Sequence, residues 1–158
     1  MTKECKQQFT LRITRANPTQ LVVILYEMLL VYLDEAELSF DKEDTEAGKE
    51  AVRKSRGCLN ELLQSLNPAY APACELQQLY LFCIRRLTYA QIHTDSKALD
   101  EIRRVIRPLC EAYRQIENLD PKGPVMNNSQ EVYAGLTYGR QSLTENMADQ
   151  GSNRGMLA

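Results

Sequence analysis

The chain has no tryptophan, a single histidine (His93), and only two glycines, Gly48 and Gly57, before residue 123. Each scarcity removes a class of function. A di-iron helical bundle takes Glu-x-x-His pairs, and this chain has none. Phosphate cradles need a glycine-rich turn, yet Gly135-Leu-Thr-Tyr-Gly139 has the wrong spacing and no lysine. No cofactor is expected. A net charge of −2 supplies no strong field for nucleic acid or anionic lipid. The five cysteines are odd in number, scattered and without Cys-x-x-Cys, which favours free, packed thiols in a reducing cytoplasm. No charged leader followed by an apolar stretch and a small-residue cleavage site opens the chain, so no signal peptide is read. The longest apolar run, Leu21 to Leu33, holds 13 residues with Glu27 in its middle. A membrane span needs roughly 18–20, so no membrane insertion is expected.

What is present is helical periodicity. At 158 residues the chain suits one domain, and about 70% of its unfolded surface can be buried. Asn17, Pro18 and Gln20 read as the N-cap, first residue and capping-box partner of a helix through the apolar run. Its expected core stripe is Leu21, Leu25, Met28, Leu29, Tyr32 and Ala36. Asp41 to Glu46 reads as a charged connection. A second helix is predicted from Gly48 to Leu66, with Val52, Leu59, Leu62, Leu63 and Leu66 inward, stopped by Asn67-Pro68 and Pro72. A third spans Ala73 to His93 on Leu76, Leu79, Tyr80, Cys83, Leu87 and Ala90. A fourth, capped around Thr94-Asp95-Ser96, spans Lys97 to Leu119, and Pro108 should kink it near Arg104.

The fold class is therefore all-α: an antiparallel up-down four-helix bundle over residues 1–120, followed by a Gly/Tyr-rich tail, 121–158. Five of the seven glycines lie in that tail. Its Val132, Tyr133, Leu136 and Tyr138 are apolar enough to fold back onto the bundle.

The first helix carries more apolar residues than one stripe needs. Val23, Tyr26 and Leu30 form a surplus on one flank, Ile24 and Val31 on the other. Two readings stand open for these five candidates. They are surface lent to a partner, or they belong to a central helix buried nearly all round. Arg86 and His93, seven apart, share a helix face and loosely resemble the motif of HEPN-type ribonucleases, where histidine does acid–base work. The alternative is a paired arginine and a helix-ending cation. Arg103, Arg104 and Arg107 read as a solvated basic cluster beside Asp100, Glu101 and Glu111.

Two segments carry a stronger resemblance. Leu79-Tyr80-Leu-Phe-Cys-Ile-Arg85-Arg86-Leu87-Thr-Tyr-Ala90, then Asp95, Leu99, Glu101, Val105, Leu109 and Ala112-Tyr113, resemble the flagellin export chaperones of the FliS family. Ala16-Asn17-Pro18-Thr-Gln-Leu21-Val22-Val-Ile-Leu25-Tyr26-Glu27 is similar to that family's opening helix. The chain departs from the family pattern at Met28 (usually glycine), Gln8 (usually tyrosine) and Tyr113 (usually tryptophan), and its tail is longer. The resemblance implies a non-enzymatic cytoplasmic bundle that binds the C-terminal region of flagellin, prevents premature polymerisation and delivers the subunit to the export apparatus. A non-enzymatic scaffold that only oligomerises, or serves another client, is the remaining alternative.

Overall fold

The computed structural model describes residues 1–126. Within them the chain is all-helical, with five helices rather than four. They are α1 (Lys3–Arg15), α2 (Pro18–Asp41), α3 (Thr45–Ser65), α4 (Ala73–His93) and α5 (Ser96–Ile116). The glycine- and tyrosine-rich segment from residue 127 onward lies outside the described residues.

The helix absent from the sequence reading is α1. Its signals are Thr2, whose hydroxyl caps the Cys5 amide, and Cys5, Phe9, Ile13 and Ala16 at three- and four-residue spacing. Only two residues, Ala16 and Asn17, separate it from α2, and both are extended. Extended geometry is what Pro18 imposes on the residue before it. The α2 start is the expected capping box: Asn17 Oδ1 accepts the Gln20 amide at 2.7 Å, and Gln20 Oε1 accepts the Asn17 amide at 3.0 Å. The charged connection is shorter than read. Residues to Asp41 remain in α2, and Asp44 caps α3 through the Ala47 amide. Gly48 sits inside α3, where the Phe40 ring occupies the place of a side chain; an added Cβ would lie 2.3 Å from it. Helix α5 passes through Pro108, which faces solvent.

Helix α2 packs on α3 and α5, and α4 closes the ring by packing on the same two. Among the described helices, α1 packs on α2 alone. The centre holds Leu29, Leu33, Leu59, Leu62, Leu87, Leu99, Ile102 and Ile106, all essentially inaccessible. On α2 the buried face is Val23, Tyr26, Leu29, Tyr32, Leu33 and Ala36. Leu29, Tyr32 and Ala36 of the expected stripe lie on it, but its centre is turned toward Val23, Tyr26 and Leu33. The surface role read for Val23 and Tyr26 is thus corrected, because both point into the main core. Leu21 and Met28, expected in that core, instead pack against a smaller cluster under α1, although Met28 also touches the larger one.

Tyr26 and Tyr80 join hydroxyls at the centre, and the Tyr113 ring meets Tyr26 edge-on at 5.7 Å. Burial raises both phenol pKa values, Tyr80 to about 12, so the pair is neutral at physiological pH. Removing one buried hydroxyl leaves its partner unsatisfied, while removing both leaves nothing to satisfy. Tyr26→Phe or Tyr80→Phe alone should cost about 1–3 kcal/mol in urea denaturation, and the double variant should recover a large part of that loss.

Candidate functional site at the seam of the first two helices

Leu21, Ile24, Met28 and Val31 lie three and four residues apart along one edge of α2 and line a shallow seam. Helix α1 fills it with Cys5, Phe9 and Ile13, and Ala16 of the connection completes the filling. Ile24 is 2% exposed, and its burial is in this second cluster rather than the main core. Val31 is half-buried at the same seam, and Leu30 is half-buried at the rim of the main core. Of the five candidates, then, Ile24 and Val31 come together under α1, Leu30 stands at the core rim, and Val23 and Tyr26 lie beneath.

Glu27 is the charge that ties this seam together. It accepts from Arg12 of α1 on one side and from Arg114 of α5 at 2.7 Å on the other. Burial pushes its pKa up, but the two guanidinium hydrogen bonds outweigh burial and leave it below the usual glutamate value. Beside the ion pair, a cleft of about 370 Å³ opens between Leu11, Arg12, Arg15, Ala16, Gln20, Ile24 and Glu117.

Other apolar side chains face solvent on α4 and the end of α5. Leu81, Tyr89 and Ile92 follow one outer face of α4, with Ile92 70% exposed. Leu79 lies on another side of the helix, and Ile116 and Leu119 extend the exposed set past α5. The Arg86–His93 pair does not open onto a free pocket. Arg86 is paired with Glu101 and stacks on Tyr89 at 4.7 Å, while the His93 ring lies 4.3 Å from the same tyrosine. The basic cluster is also not uniformly solvated. Arg103 is 6% exposed and bridges Asp34, Glu37 and Asp100 at 2.6–3.2 Å. Among the described residues, no group of three or more His, Cys, Asp or Glu is arranged to hold a metal ion. No helix there is long and apolar enough to cross a membrane.

The family model of the flagellar protein FliS matches residues 1–120, which include α1 and the whole helical ring. The chain belongs to the FliS family. It is similar to the flagellar secretion chaperone FliS of Salmonella typhimurium, at 31% identity over 64% of this chain and 77% of that one. The corresponding chaperone of Bacillus subtilis is 25% identical over 65% of this chain and 77% of its own length. That of Campylobacter jejuni is 27% identical over 65% and 81%. A crystal structure of a bacterial flagellar chaperone superposes with a TM-score of 0.61 and covers 74% of this chain and 98% of that one. At 21% identity it establishes the shared fold.

In this FliS-family protein, Glu27 dictates how the seam responds to acid. Its folded pKa is depressed, so its stabilisation is complete above the ordinary glutamate pKa and disappears as the pH falls through the lower folded value. Glu27→Gln should lower the denaturation midpoint at pH 7 by the equivalent of about 1 kcal/mol. It should also flatten the acid limb of stability against pH, and amide exchange should place the loss in α1.

Proposed function

We propose that this protein is a cytoplasmic flagellar export chaperone whose client is the C-terminal region of flagellin. In this reading α2 to α5 act as an antiparallel four-helix bundle, a stiff platform with no catalytic role. The observation that carries it is the seam of α2, an apolar edge in register for a helix and covered by an element that packs on no other of the described helices. A chaperone for an amphipathic segment must offer apolar surface without aggregating in its absence. A removable cover meets both demands.

The chemistry of the exchange follows. A client helix with apolar residues three and four apart would take the place of Phe9 and Ile13 against Ile24, Met28 and Val31. Because α1 already buries that surface, only the difference between the two fillings drives binding. The affinity is therefore reduced by the fraction of time α1 is closed. Val23 and Tyr26 support the seam from below. Held on the chaperone, the client's apolar face cannot pair with another subunit, and the loaded complex is the form delivered to the export apparatus.

Titration calorimetry with a flagellin C-terminal segment tests this directly. A 1:1 complex is expected, and no heat at tens of micromolar would overturn the reading. Val31→Ala and Leu30→Ala should each weaken binding by about 1–2 kcal/mol with little change in denaturation midpoint. Removing residues 1–15 should tighten it, because the competing cover is gone.

A further inference from the structure

After α5 the chain does not leave the molecule. Residues 117–126 turn back across the start of α2 and bond to the elbow that joins it to α1. The Asn17 side-chain amide donates to the Glu117 carbonyl at 2.9 Å. Asp120 accepts from the Thr19 amide at 3.2 Å and the Thr19 hydroxyl at 2.8 Å, and from the Lys122 amide at 3.0 Å. The Val125 amide donates to the Ala16 carbonyl at 2.9 Å.

These partners are chosen in an informative way. Thr19 lies in the first turn of α2, where amides lack partners within the helix, and a carboxylate there also meets the positive end of the helix dipole. Asp120 is accordingly held below the ordinary aspartate pKa by the Lys122 amide first and the Thr19 hydroxyl next. Ala16 is the residue on which α1 would pivot, being one of two extended residues between two helices. A bond to its carbonyl restrains the pivot itself. Residues 117–126 therefore hold both residues of the hinge and the first turn of α2 beyond it.

We propose that residues 117–126 are a strap that latches α1 closed over the seam, and that the latch is reciprocal. Loosening the strap opens α1, and lifting α1 frees the strap. The proposal rests on the reading of α1 as a cover and adds its control. Reciprocity is a requirement of linkage rather than an extra assumption. Its functional content is that loading of the seam is reported at the segment that follows α5, so a partner that recognises the released segment 117–126 engages the loaded chaperone preferentially.

The protein carries its own probes. Cys5 lies on α1, half-buried against the seam, Cys74 is exposed on α4, and Cys83 is buried in the main core. The full-length protein is labelled with an aromatic disulfide reagent. Val125→Pro removes the amide that bonds Ala16, and Asp120→Ala removes the acceptor for Thr19. Each should speed Cys5 labelling about fivefold, the opening equivalent of one lost hydrogen bond. Cys74 should be unchanged, and Cys83 should stay protected, which excludes global unfolding. Unchanged Cys5 rates in both variants would overturn the latch. In the reverse direction, Phe9→Ala undocks α1 and should accelerate tryptic cleavage after Lys122; an unchanged cleavage rate would overturn reciprocity. Finally, the flagellin C-terminal segment is added to the wild type. Faster cleavage after Lys122 supports the whole scheme. No effect of the segment, with both variant tests positive, would overturn client loading as the trigger while the latch stands.

Discussion

Everything in this fold depends on α2 being contacted from three sides. Helices α3 and α5 cover its principal face, and α1 covers an adjacent edge. A helix in that position cannot be amphipathic in the ordinary sense, because only a narrow arc is left for water. That arc is where Glu27 and Asp34 stand, and even Glu27 is drawn into ion pairs. The greasy stretch from Leu21 to Leu33 is thus two apolar stripes side by side. One is permanent core. The other is filled by an element whose only neighbour among the described helices is α2.

Charge performs a different task here from adding stability. Arg103 is the one buried cation among the described residues, and it joins α5 to Asp34 and Glu37 near the far end of α2. Arg114 joins the same two helices through Glu27. The two bridges lie three turns apart on α5 and run in opposite order along α2, which fits only one antiparallel register. A shift of one turn would leave Arg103 buried without its carboxylates, and an unpaired buried charge costs several kcal/mol. The apolar core tolerates small slips, whereas these bridges do not.

Much of this was legible in the sequence, and the failures have physical causes. The Asn17–Gln20 capping box, the stop at Asn67-Pro68 and the α4 span from Ala73 to His93 are local features written in adjacent residues. The face of α2 was misjudged because a doubly covered helix presents apolar residues over most of its circumference. Its periodicity then has no single peak, and a stripe through Leu21 and Leu25 reads as well as one through Tyr26 and Leu33. Helix α1 escaped notice because its inward residues, Cys5, Phe9 and Ile13, alternate with Lys6, Gln7 and Arg12, so its mean character is polar. Arg103 read as solvated because nothing in its own helix reveals Asp34 and Glu37, more than sixty residues earlier. The family resemblance reached farther than periodicity, because it matched residues in order across both segments.

The way the strap is laid down has a mechanical consequence. Its attachments run in sequence, Glu117 to Asn17, then Asp120 to Thr19, then Val125 to Ala16. A pull on the chain from beyond Met126 loads the last of these first, then the next, and never all together. Such an arrangement peels rather than shears. Its resistance is that of single bonds broken in turn, while the ring of helices, held by broad side-by-side packing, bears almost none of the load. Traction applied just past Met126 would therefore be spent at the elbow and would leave the platform intact.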